Sequence, residues 1–173
     1  MLHLFDLDGT VIDSFHRVKP CLKENGDLDL AKYKSEACKH ELIQRDQLLP
    51  LVSYMRERIA AARVSGDTVG ICTARLLSKS DYVFLRKHGI KTDLIYSRDK
   101  LAKYFGSDAP RIYSLGDTAY KAEYIKLAQR TRDEKSIVLY DDHDGVLDMA
   151  WRLGVLAYDA KVINKDLELL DNK

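Results

Sequence analysis

Apolar residues along this chain fall into short runs separated by longer, mixed stretches. Leu2 to Phe5, Thr68 to Cys72, Leu94 to Tyr96, Ile137 to Tyr140 and Val155 to Tyr158 are each too short for a helix and are rich in β-branched or aromatic residues, so each predicts a strand. Helical spacing fills the intervals. Leu51, Val52, Met55, Ile59, Ala60 and Ala62 predict an amphipathic helix over 51–64, with Pro50 near its start and Gly66-Asp67 at its end. Further helices are expected over 80–88, closed by Gly89; over 118–130, capped by Asp117; over 144–153, closed by Gly154; and over the peripheral tail 162–173. Trp151, at helical spacing from Leu147, is expected in the core, and His3, inside the first strand, reads as structural. Two segments carry weaker patterns. The polar stretch 11–46 holds an Asn25-Gly26-Asp27 turn and a helix within 29–42 whose Ala31, Ala37, Cys38 and Leu42 would face inward. In 98–112, Gly106, Ser107, Asp108 and Pro110 mark a loop.

Strands alternating with helices predict an α/β, Rossmann-like parallel sheet of about five strands with helices on both faces. The length of 173 residues suits a single domain, 1–173, with residues 11–47 as a small cap- or flap-like insertion within it. Composition adds only exclusions. Lys and Arg (28) nearly cancel Asp and Glu (27), so net charge identifies no nucleic-acid or membrane partner. No apolar run approaches the ~20 residues of a membrane helix. Cys21, Cys38 and Cys72 are odd in number and widely spaced, which fits neither a disulfide framework nor a zinc site. With no leader pattern before the first strand, the expected location is the cytoplasm.

In open parallel sheets, ligands sit beyond the carboxyl ends of the strands. Three strands here deliver polar groups at that end: Asp6 and Asp8 after the first, Thr73 with Ala74-Arg75 after the second, and Asp141-Asp142 after the run 137–140. Alternation along an extended chain would send Asp6 and Asp8 the same way, their Cα atoms about 6–7 Å apart. Carboxylates gathered at a strand end need a compensating charge, and hard oxygen ligands suit Mg²⁺. Four carboxylates, a hydroxyl and a lysine together describe a phosphoryl-transfer site. One carboxylate attacks phosphorus, a second acid protonates the leaving group, and cationic and hydroxyl groups hold the phosphoryl oxygens. The lysine is open among Lys121, Lys100 and Lys103.

Asp6-Leu7-Asp8-Gly9-Thr10 resembles the DxDGT first motif of the haloacid-dehalogenase (HAD)-like phosphohydrolases. The resemblance implies a HAD-like fold and a Mg²⁺-dependent phosphomonoesterase working through an aspartyl-phosphate. Asp6 would be the nucleophile and a metal ligand. Asp8 would be the general acid/base and lend its backbone carbonyl to the metal. Thr73 would be the second motif, Lys121 the third, with Lys100 and Lys103 as alternatives, and Asp141-Asp142 the fourth, with Asp141 on the metal. Leu115-Gly116-Asp117-Thr118 also resembles a fourth motif, but 137–140 is the better buried strand. Asp117 and Asp144 read as helix caps, and His16 and His143 as neighbours of the site. Two further segments, 141–155 and Thr73-Ala74-Arg75 with Tyr96-Ser97-Arg98, are similar to polynucleotide kinase 3′-phosphatase domains. That likeness implies substrate contacts from Thr73, Ala74, Arg75, Arg98 and Asp142, although no kinase P-loop is present. The short insertion implies a minimal cap and an open site, with Asp13, Ser14, His16, Arg17 and Lys19 at its entrance. The expected substrate is a nucleotide or a 3′-phosphorylated nucleic-acid end. The alternatives are a small-metabolite phosphatase of the same fold and a non-catalytic relative that binds a phosphorylated ligand.

Overall fold

A computed structural model describes residues 1–131 and 136–171. In chain order the elements are β1 (Leu2–Phe5), β2 (Ile12–Asp13), α1 (Phe15–Val18), α2 (Leu30–Lys32), α3 (His40–Ile43), β3 (Gln47–Leu48), α4 (Leu51–Ser65), β4 (Thr68–Cys72), α5 (Lys79–Lys87), β5 (Leu94–Tyr96), α6 (Arg98–Phe105), α7 (Ala109–Ser114), α8 (Asp117–Thr131), β6 (Ile137–Asp141), α9 (Asp144–Arg152), β7 (Leu156–Asp159) and α10 (Ala160–Asp171). The predicted five-stranded sheet is present, in the order β5-β4-β1-β6-β7, and all its pairings are parallel. Among the described residues no helix is long and apolar enough to cross a membrane.

β1 is central, which explains why it is apolar except at His3: a strand covered on both faces needs apolar side chains on both. Leu2 and Leu4 pack on one face with Ile125, Ala128, Val146 and Ala150 of α8 and α9. Phe5 packs on the other with Leu51, Val52 and Met55 of α4, Phe84 and Leu85 of α5, and Ala160 of α10. At about 1.5–3 kcal/mol for each fully buried large side chain, these two layers supply most of what holds the sheet in place. Phe5 stands opposite Ile71 of β4 and Tyr140 of β6. The chain therefore emerges at Asp6, Thr73 and Asp141 from three adjacent strands on one rim.

The insertion leaves the sheet through a neck. β2 and β3 pair antiparallel, Ile12 with Leu48 and Asp13 with Gln47. Between them the chain buries a cluster of its own: Val18, Cys21, Leu28, Tyr33 and Ala37. The helix expected within 29–42 is broken into α2, a π turn over Tyr33–Ala37 and α3, because Lys39 takes extended backbone before α3. Tyr33, Ala37 and Ile43 fill the inward positions, while Ala31 is exposed.

Several expectations are corrected. The loop expected at Gly106, Ser107, Asp108 and Pro110 is a 3₁₀ turn at Gly106–Asp108 between two helices, α6 and α7, and Pro110 sits in the first turn of α7. α6 buries Leu101 and Ala102 beneath the strand ends. Trp151 is 59% exposed on the outer face of α9, and Ala60 of α4 is exposed too. Asp144 is not the cap of α9. His143 is, its Nδ1 accepting from Gly145 N, and Asp144 pairs instead with Lys161. Asp117 is the first residue of α8, and its carboxylate bonds Arg98 and Leu28 N rather than standing as a cap before the helix.

Candidate active site

Lys121, on the second turn of α8, reaches down to the strand ends. Its Nζ lies 2.6 Å from Asp141 Oδ2 and 3.1 Å from Asp6 Oδ1, with the side chain almost wholly buried. Burial opposes the lysine's charge, but Asp141 and Asp6 outweigh it and raise its pKa well above the ordinary value. The ammonium is therefore permanent, and Lys100 and Lys103 make no comparable contact; Lys100 Nζ lies against the Tyr82 ring.

Asp6, Asp141 and Asp142 each bring one oxygen within 4.8 Å of the others. Burial raises the Asp6 pKa well above the carboxylate range. Lys121 opposes that rise, and Asp141, Asp142 and Asp8 add to it. Burial and Asp141 push Asp142 up to about 6. Three hard oxygen donors with one lysine to balance them hold surplus negative charge, and a small divalent cation fits that donor set. Gly9 makes the close approach of Asp142 feasible: its φ is +73°, and a side chain there would collide with the Asp142 carboxylate.

Asp8 faces elsewhere. Ser14 Oγ donates to its Oδ1, and Arg75 Nε is 3.4 Å from its Oδ2. The expected convergence of the Asp6 and Asp8 side chains does not occur, because β1 ends at Phe5 and the chain is already turning at Leu7-Asp8-Gly9, where Thr10, Val11 and Ile12 N all donate to Leu7 O. Asp142, expected beside the substrate, takes the place in the carboxylate cluster that alternation had given to Asp8.

Thr73 and Ala74 line the cavity directly after β4, Thr73 fully buried. Arg75 also lines it and is 2% exposed. Besides Asp8, its guanidinium faces Asp81 at 3.3 Å and Asp46 at 3.9 Å. Asp81 serves two ends, since its Oδ2 accepts from Ser78 N in the capping box of α5. Asp46, in turn, receives Arg17 Nε at 2.8 Å and Nη2 at 2.6 Å. A buried chain of alternating charges thus runs from Asp8 into the insertion. Arg17 sits in that chain, also donating to Tyr33 Oη and Ala37 O, and does not line the cavity entrance; His16 contacts Asp46 beside it.

Arg98 is absent from the cavity lining. It is fully buried, donating to Ala74 O, Ile112 O, Leu115 O and Asp117 Oδ1. Asp117 is bound on its other side by Leu28 N of the insertion, and its own N–H donates to Asp27 Oδ1. Gly116 leaves room for that contact, since a side chain there would meet Asp27 Oδ2 at 2.6 Å. The insertion is therefore tied down at two places, by Asp46 beside Arg75 and by Asp27 and Leu28 on Asp117. Under it lies a cavity of about 660 Å³. The open site expected from the sequence is in fact partly roofed, by Phe15, Val18, Leu22 and Leu28.

The apolar lining residues of the insertion were not foreseen, nor were two polar ones. Asn164 and Lys161 reach the cavity from α10. Asn164 Oδ1 accepts from Leu51 N and its Nδ2 donates to Thr10 O, joining α10, the start of α4 and the first-motif turn. Its signal in the sequence is an amide standing in the apolar run Val162-Ile163-Asn164.

The arrangement has known counterparts. The family described as bacteriophage T5 5′-deoxynucleotidase matches residues 1–172. The 5′-deoxynucleotidase of Escherichia phage T5 is 46% identical over 172 residues, 96% of this chain and 69% of that protein. Among solved structures, a haloacid dehalogenase-like hydrolase from Streptococcus pneumoniae superposes with TM-score 0.57 at 16% identity, over 94% of this chain and 90% of that one. A chain of the Pnkp1/Rnl/Hen1 RNA repair complex does so with TM-score 0.56 at 21% identity, over 91% of this chain and 41% of that one. These two likenesses bear on the fold and match the HAD-like reading of the first motif. With the matched family spanning nearly every residue and the carboxylate–lysine cluster standing at the strand ends, the chain belongs to the bacteriophage T5 5′-deoxynucleotidase family, as a phosphomonoester hydrolase on a HAD-like fold.

Proposed function

We propose that the chain is itself a 5′-deoxynucleotidase, a Mg²⁺-dependent phosphatase that releases phosphate from deoxynucleoside 5′-monophosphates through an aspartyl-phosphate. The observation that carries the mechanism is the division between two neighbouring carboxylates: Asp6 turns into the acidic cluster beside Lys121, and Asp8 turns away to Ser14 and Arg75. One carboxylate is held for attack and the other is held apart for proton transfer. The 46% identity to a phage 5′-deoxynucleotidase supports the substrate class.

Asp6, Asp141 and Asp142 would hold the Mg²⁺, which screens the charge of the phosphate and polarises a phosphoryl oxygen. A carboxylate oxygen of Asp6 forms the bond to phosphorus, and the bond from phosphorus to the 5′-oxygen breaks. Asp8 gives its proton to that oxygen as it leaves, then takes one from the water that hydrolyses the aspartyl-phosphate. Ser14 and Arg75 hold the Asp8 carboxyl in place for both transfers. Lys121 and Thr73 meet the phosphoryl oxygens, where charge spreads as the group moves.

A 3′-phosphorylated nucleic-acid end has behind it the motif likeness at Thr73-Ala74-Arg75 and 141–155 and a fold-level likeness to a chain of an RNA repair complex, where the nucleotide reading has 46% identity over nearly the whole chain. The discriminating assay measures phosphate release from a deoxynucleoside 5′-monophosphate, a 3′-phosphorylated oligonucleotide and a sugar phosphate, each with Mg²⁺ and with EDTA. Preference for the first, lost with EDTA and in Asp6→Asn, is the expected result. Full activity in Asp6→Asn would refute the nucleophile, and equal turnover of all three compounds would refute the nucleotide preference.

A further inference from the structure

The cavity has an apolar side that phosphoryl transfer alone does not require. Phe15, Val18, Leu22 and Leu28, all from the insertion, line the same space as Asp6, Asp142 and Lys121. At about 660 Å³ that space lies in the range that holds a whole small-molecule ligand, well beyond a phosphate group.

Phe15 is the conspicuous member, 57% exposed at the edge of a charged cavity. Its neighbours on the single turn of α1 are all engaged. Ser14 binds Asp8, His16 and Arg17 both bind Asp46, and Val18 packs in the insertion's cluster. These anchors fix the turn and leave the phenylalanine ring at the cavity, with Lys19 Nζ 5.1 Å from its centre. Several polar groups that line the same cavity are also engaged. Asp13 accepts from Phe15 N, Asn164 binds Leu51 and Thr10, and Lys161 binds Asp144. The insertion's part of the cavity wall therefore presents an aromatic ring and aliphatic surface.

We infer that Phe15 is the stacking platform for the base of the nucleotide, with Val18, Leu22 and Leu28 packing against the base and the sugar. The inference rests on the nucleotide reading above and adds the residue that selects for a base. Stacking suits a face of this kind, because every base has a π-face and none of its edge groups needs a partner to gain from the contact.

The test compares kcat/KM for a deoxynucleoside 5′-monophosphate with that for 2-deoxyribose 5-phosphate, which has the same 5′-oxygen leaving group and no base. Wild type is expected to favour the nucleotide. Phe15→Ala should lose about ten-fold or more of that preference, chiefly through KM, whereas Phe15→Trp should keep it. If Phe15→Ala does not fold, Phe15→Leu removes the ring with less loss of volume and gives the same comparison. An unchanged ratio in the ring-less variant would overturn the platform, and so would equal use of both substrates by wild type. Turnover of the sugar phosphate with none of the nucleotide would refute the nucleotide reading itself, and the platform with it.

Discussion

Gly9 lies directly against Asp142, so close that a methyl group at position 9 would run into the Asp142 carboxylate. Its φ of +73° adds a second penalty for any side chain. Gly66 has the same φ, but a methyl group there would meet nothing within 4 Å, so it isolates the backbone effect. Gly66→Ala is expected to lose about 1–2 kcal/mol of stability and keep its activity. Gly9→Ala should lose more stability and also weaken Mg²⁺ binding, read by denaturant unfolding and by the Mg²⁺ dependence of phosphate release. Equal effects of the two substitutions would mean that Asp142 is not held by the turn.

Lys121 is the cation among Asp6 and Asp141. Its replacement by Met leaves buried carboxylates without a counter-charge, and the expected loss is about 3–5 kcal/mol. Added Mg²⁺ should restore part of that stability while activity stays low. Denaturant midpoints with and without Mg²⁺ check this, and a Met variant as stable as wild type without Mg²⁺ would contradict it.

The acidic cluster also sets a pH dependence. The folded-state pKa of Asp142 is raised from 3.8 to about 6, so its contribution to stability is fully present below about 3.8 and is lost as pH rises through about 6. Asp6 is raised as well and acts in the same direction. Metal-free protein is thus expected to lose thermal stability from these groups as pH rises from 4 to 7, and the gain in Tm from Mg²⁺ should be larger at pH 7.5 than at pH 5, where protons compete for the same oxygens. A Mg²⁺-induced shift that is the same at both values would rule out these ligands.

Arg98 supports three backbone carbonyls and Asp117. Arg98→Met should therefore cost about 2–3 kcal/mol of stability, because three buried carbonyls lose their donor and the half-buried Asp117 keeps only Leu28 N. A variant of normal stability with a raised KM would return Arg98 to the substrate contacts.

Short-range features of this chain were legible in its sequence, and long-range partnerships were not. β1, β4 and β6 announce themselves because strands buried on both faces are apolar at nearly every position, and the groups at Asp6, Thr73 and Asp141 stand at the ends of those runs. α6 buries only Leu101, Ala102 and Arg98, too few apolar positions to set a period beside Gly106 and Pro110. Arg98 and Asp117 carried local signals, a motif neighbour and a helix cap, that their contact with each other overrode. Arg17 and Asp46 are 29 residues apart, and no local pattern joins them. Trp151 repeats at helical spacing from Leu147, yet spacing alone does not fix which side of α9 the ring takes.

The insertion begins and ends on the two backbone pairs that join β2 to β3, and it encloses an apolar cluster separate from those of the sheet. Mutations at Leu22 or Leu28 therefore reshape the wall met by the ligand while leaving the register of β1, β4 and β6 untouched. Within a lineage, substrate preference can drift by small surface changes on one side of the cavity, and a strand rim that evolves far more slowly can serve each new preference in turn.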